Sequence, residues 1–128
     1  MRLLLDTHAL IWALGDDPRL SKSARIAIDD RENEILVSAA SAMEVATKFR
    51  LGKLPEAEQL ARDFPAVLRA ADYLSIPITV EHVAAAGALA IPHRDPFDRL
   101  LIAQSRLEAA ALVSNEKLFD GFGVERFW

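Results

Sequence analysis

Short apolar runs separated by helical segments constrain the fold of this chain more than any other feature. RLLL (residues 2–5), EILVS (34–38) and ALVS (111–114) are too short for helices and have the composition of buried strands. THALIWAL (7–14) and AASAMEVATKFRLGK (39–53) have helical composition and follow the first two runs directly. Strands that alternate with helices are joined by right-handed crossovers. The pattern therefore predicts an α/β fold whose parallel sheet is covered by helices on both faces.

Three further segments carry weaker signals. LSIPITV (74–80) is β-like, but Pro77 has no amide to donate to a neighbouring strand, so we expect an edge strand. VERFW (124–128) is a candidate for the last strand. EAEQLARDFPAVLRAADY (56–73) predicts one helix that is broken or kinked at Pro65.

Length and composition limit the class of protein. The chain has 128 residues, which favours one domain over residues 1–128, and 52% of them are hydrophobic, which argues against disorder. It contains no cysteine, which excludes disulfides and thiolate metal sites. No stretch has the pattern of a membrane span or a signal peptide, so we expect a cytoplasmic protein without a membrane partner. The net charge of −4 does not indicate a nucleic-acid binder. The basic run KFRLGK (48–53) could nevertheless form a local patch that binds a nucleic acid.

Acidic side chains follow the predicted strands. Asp6 comes directly after the first strand, Glu44 lies within the helix after the second, and Glu116 follows the third. Because the carboxyl ends of parallel strands share one edge of a sheet, these three residues are candidates for one site. Asp98 reaches that edge only if the chain crosses back through IPHRDP (91–96) after a helix at 81–90.

Several of these acids also have a purely structural interpretation as helix caps. Asp6 is a suitable N-cap for the helix at 7–14. Asp95 precedes Pro96, which is a strong N-cap signature. Asp98 then lies in the first turn, where it could complete a capping box and meet the helix dipole.

Glu44 and Glu116 have structural interpretations of a different kind. Lys48 lies four residues after Glu44, the favourable order for a surface ion pair, although the alanine-rich neighbours of Glu44 suggest a largely buried segment. Glu116 could complement the dipole of a short helical turn.

If these acids share one edge of the sheet, the repulsion between their charges destabilises the folded protein. Two like charges about 4 Å apart repel by about 4 kcal/mol at an effective dielectric constant of about 20. A cation relieves that repulsion, and oxygen ligands select a hard ion such as Mg²⁺ or Mn²⁺. Such an ion can activate a water molecule for attack on a phosphodiester.

Four stretches of the chain resemble PIN-domain proteins, and most closely the ribonuclease toxins of VapBC-type toxin–antitoxin pairs. They are LLLDTHALIWAL, SAASAMEVATKFRLGKL, IPHRDPFDRLLIAQ and LVSNEKLFDGFGV, in the order found in that family. The resemblance covers nearly the whole chain. It implies a three-layer α/β/α fold, a ribonuclease activity dependent on Mg²⁺ or Mn²⁺, an antitoxin protein as partner, and a homodimer.

The resemblance also implies roles for individual residues. The family's first acid, helix glutamate and third acid match Asp6, Glu44 and Asp98, which are expected to hold the metal. The fourth acidic place is usually an aspartate and falls here on Glu116, or is shared with Asn115. Supporting positions around the metal fall on Asp95, Thr7 and Ser114.

Basic residues could bind the phosphates of an RNA substrate, although a solvated basic face explains them equally well. The candidates are Arg50, Lys53, Arg94, Arg99 and Lys117.

Three other classes of protein are alternatives to a ribonuclease. A receiver-like phosphoacceptor domain needs a nucleophilic aspartate after a middle strand, and ILVSAAS (35–41) offers none. A haloacid-dehalogenase-type phosphatase needs a second aspartate two residues after Asp6, where His8 stands. A catalytically inactive PIN-fold binding module remains open.

Overall fold

The computed structural model describes residues 1–128, which form five strands, seven α-helices and two 3₁₀ turns. The strands are β1 (Arg2–Leu5), β2 (Glu34–Ser38), β3 (Leu74–Ile76), β4 (Ala111–Val113) and β5 (Arg126–Phe127). The helices are α1 (Thr7–Leu14), α2 (Lys22–Asp29), α3 (Ala39–Arg50), α4 (Glu58–Arg62), α5 (Phe64–Ala70), α6 (Val80–Ala88) and α7 (Pro96–Leu107). The 3₁₀ turns are Pro55–Ala57 and Lys117–Gly121.

All five strands are parallel and form one sheet in the order β3-β2-β1-β4-β5. The predicted α/β fold with a parallel sheet is therefore confirmed. The segment that contains Pro77 supplies an edge strand, β3, and the last segment supplies the opposite edge, β5.

Alternate residues of the central strand pack into two separate cores. Leu3 and Leu5 are fully buried in a cluster that includes residues of α1, α2, α3 and α5. Leu4, between them, belongs to a second cluster with Leu101 and Ile102 of α7. Because successive side chains of a strand point to opposite faces, helices cover both faces of the sheet, as three layers require.

The predicted break in the helical segment 56–73 is confirmed, but it falls at Asp63 and not at Pro65. The chain forms two helices separated at Asp63, whose φ of −151° and ψ of 79° are not helical. The Asp63 carboxylate accepts a hydrogen bond from the Ala66 amide and so caps α5. Pro65 lies in the first turn of α5, where its missing amide costs no helical hydrogen bond. The proline therefore helps to begin a helix and does not kink one.

The chain crosses back between α6 and α7, as the predicted position of Asp98 at the carboxyl edge of the sheet requires. Helices α6 and α7 pack against each other, and residues 89–95 carry the chain between them. Arg99 holds this connection because its guanidinium donates hydrogen bonds to five backbone carbonyls. These belong to Ala86, Gly87, Leu89, Ile91 and His93. These bonds engage the donors of Arg99 within the protein, which disfavours the predicted contact of this residue with RNA phosphates.

None of the seven helices combines the length and the apolar character that crossing a bilayer demands.

Candidate functional site

The predicted acidic side chains meet at the carboxyl edge of the sheet. The order of the strands reverses beside β1, because β2 and β3 lie on one side of it and β4 and β5 on the other. Open parallel sheets bind ligands in the crevice at such a switch point. A cavity of about 190 Å³ opens there. Its walls are formed by Asp6, Thr7, His8, Glu44, Lys48, Asp95, Asp98, Leu101, Glu116 and Leu118.

Asp6 combines a structural role with a place in the cavity. It ends β1, and its carboxylate accepts a hydrogen bond of 2.7 Å from the Ala9 amide, which caps α1 as predicted. Only 6% of the residue is exposed. Burial raises the pKa of the Asp6 carboxyl to about 6, and the nearby charge of Asp98 raises it as well.

Glu44 is fixed from two sides. Thr7 donates a hydrogen bond of 2.6 Å from its hydroxyl to Oε1, and Lys48 Nζ lies 2.6 Å from Oε2. The hydroxyl of Thr7 also lies 3.0 Å from that of Ser41. The predicted pair of Glu44 with Lys48 is thus confirmed, but it lies in the cavity wall and not on an open surface. The segment around it is less buried than its alanines suggest, since Met43 is 65% exposed.

The two aspartates of the HRDPFDR segment have different contacts. Asp95 accepts hydrogen bonds from the amides of Phe97 and Asp98, which confirms it as the N-cap of α7. Asp98 does not complete a capping box, because its Oδ2 lies 2.7 Å from Nε2 of His93. Burial raises the pKa of the Asp98 carboxyl, and the charges of Asp95 and Glu44 raise it further.

The two candidates for the fourth acidic place lie differently. Both residues are exposed, but Glu116 is part of the cavity wall and Asn115 lies outside it. The buried hydroxyl of Ser114 accepts a hydrogen bond of 3.0 Å from the Glu116 amide. Ser114 therefore shapes the turn that carries Glu116 after β4.

The basic side chains predicted to bind RNA are not in the cavity wall. Arg50, Lys53, Arg94 and Lys117 are exposed, and all four lie outside it. The basic residue that does line the cavity is Lys48, which the sequence suggests only as an ion-pair partner.

His8 also lines the cavity and was missed at the sequence level. The signals that could have found these two residues are short distances along the chain. Lys48 lies one helical turn after Glu44, and His8 lies two residues after Asp6.

The carboxylates fit a hydrated cation better than a closed metal cage. No group of three or more His, Asp or Glu side chains has the geometry of a metal site. The oxygen donors are nevertheless of the kind that hard divalent cations prefer, and burial and mutual repulsion disfavour the charges of Asp6 and Asp98. Mg²⁺ is commonly held by one or two carboxylates and keeps several water molecules. The oxygen donors of the site therefore suit a hydrated ion of this kind.

Comparison with known proteins places this geometry in a family. Residues 3–124 match the family model described as PIN domain. Ribonuclease VapC16 of Mycobacterium tuberculosis is 42% identical over 69 residues, which cover 51% of this chain and 48% of that ribonuclease. The chain thus matches about half the length of this curated relative.

The fold has a counterpart among solved structures. A crystal structure of VapBC2 from Rickettsia felis, bound to a DNA fragment from their promoter, has a TM-score of 0.70. The superposition covers 99% of this chain and 98% of that one, at 18% sequence identity. At that identity the similarity concerns the fold.

Proposed function

Because this chain belongs to the PIN-domain family, we propose that it is a ribonuclease dependent on Mg²⁺ or Mn²⁺. The observation that carries the proposal is the cavity at the switch point of the sheet, into whose wall the fold brings acids from four separate segments. These acids are Asp6, Glu44, Asp98 and Glu116. The partial match to a ribonuclease supports the choice of RNA as substrate.

Three of these acids are proposed to hold the cation, one or two of them directly and the rest through its water molecules: Asp6, Glu44 and Asp98. An Mg²⁺ or Mn²⁺ ion held there would supply an activated water molecule for attack on the phosphodiester and would offset the charge that develops on it. Glu116 is the proposed fourth acid of the site, because it lines the cavity and Asn115 does not.

The chain's other residues orient these acids. Thr7 holds one oxygen of Glu44, and His93 holds one oxygen of Asp98. Asp95 fixes the first turn of α7, on which Asp98 lies. Ser114 positions the backbone that carries Glu116. Carboxylates that are already hydrogen-bonded can keep their orientation when a cation approaches.

Exposed basic side chains near the cavity are proposed to contact the phosphates of the RNA on either side of the one that is cleaved. Arg94 lies next to Asp95, and Lys117 lies next to Glu116, so both flank residues of the cavity wall. Arg50 lies farther along α3, beyond Lys48, and Lys53 follows that helix.

The biological role that we propose is that of a toxin in a toxin–antitoxin pair. The sequence resemblance and the fold shared with VapBC2 support this role. An antitoxin protein is then the expected partner, and a homodimer the expected assembly.

The experiment that tests the proposal is cleavage of a defined single-stranded RNA by the purified chain. We predict cleavage with Mg²⁺ or Mn²⁺ and none with EDTA. The products should carry 5′-phosphate and 3′-hydroxyl ends, because water attacks and not the ribose 2′-hydroxyl. The variant Asp6→Asn is the matched control for a contaminating nuclease.

Two results would count against the proposal. Products with 2′,3′-cyclic phosphate ends would refute attack by a water molecule. A folded protein that binds RNA and never cleaves it under any of these conditions would identify the chain as a binding module.

A further inference from the structure

Lys48 is the one lysine or arginine in the wall of the acidic cavity. Its Nζ lies 2.6 Å from Oε2 of Glu44, and its side chain is 38% exposed whereas that of Glu44 is 13% exposed. The other carboxylate oxygen of Glu44 is held by Thr7, which is buried. The carboxylate is thus fixed, whereas the long side chain of the lysine has solvent into which it can move.

We propose that Lys48 serves as the counter-ion of Glu44 in the metal-free protein and contacts an RNA phosphate when a divalent cation occupies the cavity. The inference rests on the proposed function. A cation at Glu44 repels the ammonium group of Lys48, because both compete for the same carboxylate charge. The displaced ammonium group remains beside the cavity, where it meets the phosphate of a bound substrate as a point charge.

This exchange gives the lysine opposite effects on its two ligands. Removal of its charge should strengthen the binding of a divalent cation, on the order of tenfold, because both a competitor and a repulsion are lost. The same change should weaken the binding of RNA. The loss of one phosphate contact should also reduce the slope of log affinity against log salt by about 0.7 for a single strand.

The experiment compares Lys48→Met, which keeps the length of the side chain, with Lys48→Arg, which keeps the charge. Lys22→Met is the matched control, because Lys22 is exposed at the start of α2 and lies outside the cavity wall. The dissociation constant of Mn²⁺ is measured by calorimetry without RNA. The ratio kcat/KM for a single-stranded RNA is then measured at saturating Mn²⁺ over a series of salt concentrations.

We expect Lys48→Met to bind Mn²⁺ more tightly than wild type, with a lower kcat/KM and a shallower salt dependence. Lys22→Met should stay close to wild type in both measurements, and Lys48→Arg, which keeps the charge, should lie between Lys48→Met and wild type. An unchanged or weaker affinity of Lys48→Met for Mn²⁺, or an unchanged salt dependence, would overturn the inference about Lys48. Cleavage of RNA by the wild-type protein in the same experiment would still support the proposed function. A wild-type protein that binds Mn²⁺ but cleaves no RNA would overturn both.

Discussion

The substitution Asp6→Asn isolates the cost of a buried charge at the centre of the site. Asp6 is 6% exposed and caps α1 by accepting a hydrogen bond from the Ala9 amide. Asparagine caps helices about as well as aspartate does, so the cap is kept and the charge is lost. The change in the free energy of unfolding therefore reports on the carboxylate charge.

The size of the effect follows from the pKa of Asp6. Burial raises it from 3.8 to about 6 in the folded protein. As the pH rises from about 4 to about 6, the unfolded chain releases this proton before the folded protein does, so the folded state loses stability. At about 1.4 kcal/mol for each pH unit, the loss reaches about 3 kcal/mol and persists at higher pH. The asparagine variant escapes it.

The assay is urea unfolding of both proteins in EDTA between pH 4 and pH 8. The stability of Asp6→Asn relative to wild type should rise by about 3 kcal/mol between pH 4 and pH 7. Asp72→Asn is the control, because Asp72 is exposed and has a φ of 59° that asparagine also adopts. A difference between Asp6→Asn and wild type that does not change with pH would refute the reasoning.

Four other substitutions test separate parts of the structure. Arg99→Ala should lower the free energy of unfolding by about 2–4 kcal/mol in urea titrations, because it removes five hydrogen bonds to the end of α6 and to the connection before α7. Asp95→Ala should cost about 1 kcal/mol with or without Mg²⁺, as for a helix cap. The melting temperature of Asp98→Asn should instead equal or exceed that of wild type in EDTA, and Mg²⁺ should raise it less than it raises that of wild type. An equal loss of stability in EDTA and in Mg²⁺ would show that Asp98 has only a structural role. Arg50→Glu should slow cleavage at low salt and make the fall of cleavage with salt shallower if Arg50 contacts RNA, and unchanged kinetics would assign this side chain to solvent.

The strands and the acids that follow them were predictable because both depend on local sequence. RLLL and EILVS coincide with β1 and β2, and Asp6 follows β1 directly. The parallel order of the strands then places their carboxyl ends at one edge without any knowledge of side-chain contacts.

The break within residues 56–73 was predictable from Pro65, although it falls two residues earlier, at Asp63. Asp63 stands two residues before Pro65, so the proline falls in the first turn of a new helix. Asp95 and Pro96 have a similar arrangement, but the two residues are adjacent, which makes that cap easy to recognise. Phe64 separates Asp63 from Pro65, so the proline indicates a break more readily than the aspartate indicates a cap.

The contacts of Arg99 and the place of Lys48 in a cavity could not be predicted from the sequence, for two different reasons. The partners of Arg99 are backbone carbonyls on an irregular connection, and their positions depend on the packing of α6 against α7. Lys48 has the spacing of an ordinary surface pair with Glu44, and only the tertiary structure places that pair in a cavity.

The central claim is that the carboxylates of this cavity hold a divalent cation. The most direct test is an anomalous difference map from crystals of the chain grown with Mn²⁺. We predict a single strong peak in the cavity, about 2 Å from carboxylate oxygens of Asp6 and Asp98, with water completing the coordination. A map with no peak there, from a protein that cleaves RNA under the same conditions, would contradict the claim.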